Sequence, residues 1–235
     1  MNQLQPTYSP NFWARMGGIA YLIIIIAGAS GELLIRNKIV IPNDPQTTAN
    51  NLLSHALLWR IGIAGDLLMH VCDLFLSIAY FQLFRLVNRP LARLSLFFGL
   101  MQTAVLIANK MNLVMPLLYL EHADKLQAFS LPQLQEMAFL SIQAHDYGFG
   151  NGLIFFGFAC IIDGYMIIQS GFLPKFLGWF IGLAGICYLI NSFTLFLAPS
   201  FSSQVFPVVM PIIFLSELSV CLWLLIKGVK MEKIG

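Results

Sequence analysis

Charge is what this sequence has least of. Only 10% of its 235 residues are Asp, Glu, Lys or Arg, against about 25% in an ordinary soluble domain. The formal net charge of +2 is too small a surplus to point to a nucleic-acid partner. Paired cysteines are lacking as well. Cys72, Cys160, Cys187 and Cys221 each stand alone inside an apolar run, which excludes a C-x-x-C redox or zinc motif and reads as four small core residues. No phosphate-binding loop, haem-type His pair or complete hydrolase constellation is present. Ser170-Gly171 has no histidine base at its depth and reads as a turn.

Apolar residues fill the space that charge leaves. They make up 58% of the chain, with a mean hydropathy of +0.79, and they recur in runs of roughly 20 residues, the length of a membrane-crossing helix. The expected architecture is all-α: a single transmembrane domain over 1–235, a bundle of six spans at about 12–36, 57–87, 93–119, 147–169, 175–198 and 206–228. The first run, with Arg15 before it and Ala27-x-Ala29 near its end, has the look of a signal peptide. It continues apolar toward Ile35 and is expected to stay as an uncleaved span. "NRPLAR", "QSGFLPK" and "APSFSSQVFP" read as short turns. Asp44-Pro45 reads as an N-cap and first helical position. Ser130 and Gln133 have capping-box spacing, followed by an apolar side of Leu134, Met137, Ala138 and Leu140 or Ile142. One or two short interfacial helices on the outer side are expected there.

The cations set an orientation. In a six-span chain Arg15, Arg85, Arg89, Arg93, Lys175, Lys227, Lys230 and Lys233 share one side, while Asp44, Glu121, Asp124 and Glu136 lie on the other. The positive-inside rule then predicts both termini in the cytoplasm. Arg93–Asn109 and Lys175–Asn191 have equal length, but almost no identities accompany the match, so it reads as chance rather than duplicated halves.

"NDPQTTANNLL" before span two, Arg60 and Asp73 within it, "SGFLPKFLG" at 170–178 and "GICYLINSF" followed by Pro199 resemble a bacterial membrane family named as domain-of-unknown-function family 4386. The resemblance covers nearly the whole chain. It implies a multi-pass protein of the bacterial cytoplasmic (inner) membrane and supplies no activity.

Ionisable groups inside the apolar runs need a reason, since each costs roughly 2.5–3.5 kcal/mol at a bilayer centre. Asp66, His70 and Asp73 share one face of span two at spacings of four and three. Counting depth at about 1.5 Å per residue, Asp66 falls in the outer half, with Glu32, Arg36, Asn109, Lys110, Asn112 and Asn191. His70, Asp73 and Glu217 fall near the middle, His145 and Asp146 open span four, and Asp163 comes close enough to the cytoplasmic end for solvation. Lys110 is too deep to snorkel and needs Glu32, Asp66 or Asp146 beside it, or an anionic ligand. Glu32 and Arg36, four apart, read as a local pair, and Glu217 as a neutral, hydrogen-bonded carboxyl. Gly178, Gly182 and Gly185 form a small-residue packing face, and Gly148, Gly150 and Gly152 loosen or tighten the start of span four.

The leading expectation is a polar pocket in the outer half, lined by Asp66, His70, Asp73, Lys110, Glu32, Glu217, Asn109 and Asn191, that binds or transports a small ligand or ion. An enzyme is the less favoured class. Its form would be an intramembrane metal-dependent hydrolase of a lipid-like substrate, with a divalent metal on Asp66, His70 and Asp73. No second deep histidine completes such a shell, so no metal or cofactor is expected. A non-catalytic sensor or assembly partner is the third reading. The bilayer itself is the one certain partner.

Overall fold

A computed structural model describes residues 9–229 of the protein, and those residues form helices and short connections without a strand. Lys230 and Lys233, invoked for orientation, lie outside the described residues. Ser9 opens the first helix by accepting a hydrogen bond from the Phe12 N–H, with Pro10 at the first helical position. Helix α1 (Pro10–Ile39) changes character between Gly31 and Arg36, where it winds as a π-helix and the Asn37 N–H reaches back to the Glu32 carbonyl. Helix α2 (Pro45–Ser54) is capped by Asp44, whose Oδ1 accepts from the Thr47 N–H at 2.9 Å. Hydrogen bonds from the Thr47 side chain and backbone hold that exposed carboxyl below its ordinary range.

Five further helices follow: α3 (Ala56–Phe84), α4 (Arg89–Glu121), α5 (Leu131–Ser170), α6 (Lys175–Leu197) and α7 (Pro199–Ile226). With α1 they make six helices long and apolar enough to cross a membrane. α4 breaks its regular ladder at Lys110, whose N–H bonds to the Ile107 carbonyl only three residues back. Pro116 lies inside the following turns and has no N–H to give.

Two expected boundaries are corrected. The segment expected as a separate interfacial helix over 130–142 is the first part of α5. Its capping box is present, with the Ser130 N–H donating to Gln133 Oε1 at 2.8 Å. Pro132 in the first turn is the only proline between Leu131 and Ser170, so nothing interrupts the ladder. At about 1.5 Å per residue the 40-residue helix is about twice the thickness of a hydrocarbon core. Its extra turns bury Leu134, Ala138 and Ile142. Likewise α7 begins at Pro199 rather than 206, because proline at a first helical turn starts a helix instead of ending one.

The helices close a ring. α1 packs on α3, α3 on α4, α4 on α5, α5 on α6, α6 on α7, and α7 returns to α1. The Cys221 thiol lies 3.6 Å from the Gly18 carbonyl at that closure. Glycines let α5 and α6 approach backbone to backbone: a Cβ on Gly178 would stand 2.6 Å from the Gly164 carbonyl, and one on Gly185 would stand 2.6 Å from that of Gly157. Six alternating passes put both described ends of the chain at one end of the ring, the terminal end. α2 covers the opposite end, where Leu52, Trp59, Leu113 and Ile142 form a small core. Trp59 Nε1 donates to the Leu113 carbonyl at 2.8 Å there and ties α3 to α4.

Candidate functional site

Beneath α2, four helices bring charge together. Asp66 on α3 is 1% exposed, and its Oδ2 accepts from Arg36 Nη1 at 2.9 Å and from Lys110 Nζ at 2.8 Å. Its other oxygen, Oδ1, is buried without a partner. Arg36 also donates through Nε to Glu32 Oε2 at 2.8 Å, and Glu32 is 53% exposed. The network therefore runs from an accessible carboxylate to a fully enclosed one. Lys110 Nζ stands 3.2 Å from His145 Nε2 on α5. An ammonium only donates, so Nε2 accepts and the imidazole proton sits on Nδ1, which faces Asp146 Oδ1 at 3.7 Å.

Local irregularity makes this meeting possible. The π-helical turn of α1 carries both Glu32 and Arg36, and such turns recur at functional sites. Gly31 opens space there, since a Cβ on it would lie 3.1 Å from both Arg36 Nη2 and Asp66 Oδ1. The break in α4 falls on Lys110 itself. Next to it Asn109 Nδ2 donates to the His145 carbonyl at 2.9 Å, and its Oδ1 accepts from Asn112. A side chain on Gly148 would fall on the Asn109 amide.

A second polar layer lies deeper toward the terminal end. His70 Nδ1 and Asp73 Oδ2 are 2.9 Å apart, and His70 Nε2 is buried without a partner. Tyr188 donates to Glu217 Oε1 at 2.6 Å. Ser95 donates to Asp163 Oδ1 at 2.6 Å. Between them is a cavity of about 30 Å³ whose walls include Tyr21, Asp73, Tyr80, Gln102 and Asp163. Five of the six long helices contribute to those walls.

The eight residues expected to line one pocket thus divide. Asp66, Lys110, Glu32 and Asn109 belong to the charged network. His70, Asp73 and Glu217 belong to the deeper layer, and Asp73 alone of the eight lines the cavity. Asn191 is buried on α6 with its Oδ1 unpartnered. Asp66, His70 and Asp73 share a helix face but not a centre: Asp66 is held by two cations, while His70 and Asp73 hold each other. Among the described residues no three His, Cys, Asp or Glu side chains converge as a metal-binding group.

Two depths are corrected. Asp163, expected in reach of solvent, is buried and bonded to Ser95. His145, expected near the surface, is buried against Lys110, because α5 starts more than four turns earlier than its hydropathy signals. The unbroken stretch after the Ser130 capping box was the signal for that. Arg36, Ser95, Tyr188 and Tyr80 were not singled out as site residues. For the tyrosines and Ser95 no spacing in the sequence marks them.

These features define a class: a multi-pass helical membrane protein with two internal polar layers. The pattern of the family described as "Domain of unknown function (DUF4386)" matches residues 16–228, and the chain belongs to that family. It is also similar to a protein of Archaeoglobus fulgidus described as "Uncharacterized protein", 24% identical over 172 residues that cover 73% of this chain and 86% of that protein. No solved structure matches the chain.

Proposed function

We propose that this protein binds or transports a small ligand or ion through the charged network beneath α2, and that the ligand is a small anion. One observation carries the reading. Two cations, Arg36 and Lys110, converge on a single oxygen of Asp66 inside the bundle. A protein carboxylate held between a guanidinium and an ammonium is a stand-in that a carboxylate or phosphate ligand can imitate or displace. Arg36 is the partly accessible member, and Glu32 beside it is more than half exposed, so the network is not sealed inside the bundle. Deep ionisable groups of this kind mark ligand pathways in membrane proteins. The proposed setting is the cytoplasmic membrane of a bacterium, with both termini in the cytoplasm and the network in the outer half, following the cation-rich terminal end.

Thermal unfolding of the purified protein in detergent tests this. Formate, acetate and inorganic phosphate are compared with chloride at fixed sodium concentration. At least one is expected to raise Tm saturably. Asp66→Asn removes the resident carboxylate and is expected to respond more strongly to the same anions, since Arg36 and Lys110 are then left without it. If no anion stabilises either protein beyond chloride, the anion reading is wrong.

A further inference from the structure

The cavity of the deeper layer has no role in the network above it. Its walls carry oxygen from several side chains, yet among the described residues no Arg, Lys or His lines it. Asp73 is occupied by His70 at 2.9 Å. Among the described residues Asp163 has a single partner, the Ser95 hydroxyl, and a buried carboxyl is stable only when it takes up a proton or a cation. Tyr80 adds an independent observation: it is 9% exposed, it forms part of the cavity wall, and its hydroxyl has no partner. Buried hydroxyls are nearly always hydrogen-bonded or coordinated, so Tyr80 brings an uncommitted oxygen to this wall.

We propose that this cavity binds one alkali-metal cation, with Asp163 supplying the charge and the Tyr80, Ser77 and Gln102 oxygens completing the coordination. Size and charge select the class. A volume of about 30 Å³ holds about two water-sized bodies, enough for an alkali ion and one water. Magnesium keeps several waters, and calcium takes six to eight oxygens with more than one carboxylate. One uncommitted carboxylate balances one positive charge. The proposed donors, from Asp163, Tyr80, Ser77 and Gln102, are all oxygen and suit a hard ion. The proposal does not depend on the anion reading, because it concerns different residues and a different ion.

The test holds chloride constant and varies the cation. Purified protein in detergent is unfolded thermally in NaCl, KCl, MgCl₂ or choline chloride, and bound sodium-22 or rubidium-86 is counted by equilibrium dialysis. Sodium or potassium is expected to raise Tm saturably, with about one ion bound per chain. Asp163→Asn, whose amide oxygen still accepts from Ser95, is expected to abolish binding. Tyr80→Phe is expected to weaken it about tenfold, the loss of one ligand bond of about 1.4 kcal/mol. Equal Tm in choline and alkali salts overturns the proposal, as does unaltered binding in Asp163→Asn. If Asp163→Asn does not fold, Tyr80→Phe and Gln102→Leu carry the test, and wild-type affinity in both overturns it.

Discussion

Asp66 is the residue on which two helices depend. Its Oδ2 joins Arg36 of α1 to Lys110 of α4, and among the described residues neither cation forms an ion pair with another buried carboxylate. Removing one member of a buried ion pair typically costs about 3–5 kcal/mol because the other charge is stranded, while removing both costs much less. Lys110→Met is therefore expected to lower stability by that amount. Lys110→Met with Asp66→Asn is expected to recover part of it, since Arg36 keeps Glu32. Glu32→Gln is expected to cost far less, because an exposed carboxylate is already solvated. Thermal unfolding of the wild type, Lys110→Met, Asp66→Asn and the double variant gives the coupling directly. Strict additivity of the two substitutions would show that the 2.8 Å contact carries no stability. Depth counting from the sequence does bring Lys110 and Asp66 to one level, so this pair was legible. Asp163 was not, because depth alone cannot tell a lipid-facing or solvated position from one turned onto Ser95 of a neighbouring helix.

Glycines on one helix face look alike in sequence and differ in structure. Gly178, Gly182 and Gly185 follow one another on α6, but a Cβ on Gly178 would press on the Gly164 carbonyl at 2.6 Å, whereas one on Gly182 meets nothing within 4 Å. Gly178→Ala is expected to destabilise by about 1–3 kcal/mol through forced separation of two backbones, and Gly182→Ala to be neutral or slightly stabilising through better helix propensity. Equal effects in thermal unfolding would contradict the close α5–α6 contact. The caps behave similarly. The folded Asp44 carboxyl is held below its ordinary range, so its contribution is full above the unfolded value and is lost as pH falls through the lowered folded value. Faster amide exchange at the start of α2 in that acid window, relative to the rest of the chain, is the expected signature. Span existence was legible because runs of about 20 apolar residues have few other uses. Their ends were less so: Pro199 and the Ser130 capping box start helices in polar sequence, where hydropathy is silent. The π-turn over Gly31–Arg36 leaves no pattern in composition at all.

Six alternating helices closed into a ring make two statements about the molecule in its membrane. The first concerns direction. Reporters fused after Gly235 and within 88–92 are both expected to report cytoplasm, and one near Asp124 the outside. A reporter after Gly235 that is active only outside would reverse the orientation or remove a span. The second concerns communication between the two polar layers. Asp66 and Asp73 are two turns apart on the same face of α3, about 10 Å along its axis, with His70 between them bonded to Asp73. α3 therefore takes part in both the proposed anion site and the wall of the proposed cation cavity. A shift of that helix on binding either ion is expected to change affinity for the other, and thermodynamic linkage requires the effect to be reciprocal. If saturating sodium raises acetate affinity by some factor, saturating acetate must raise sodium affinity by the same factor. His70→Ala leaves both sets of proposed ligands intact while deleting the His70–Asp73 bond, which lies on α3 between Asp66 and the cavity wall, so it is expected to keep each affinity within about threefold and to bring the coupling factor toward one. Isothermal titration of each ion in the presence and absence of the other measures this. Two ions that bind with no mutual effect in the wild type would make the layers independent sites on a rigid scaffold. A coupling factor that survives His70→Ala would route the communication through the packed helices rather than through that side chain.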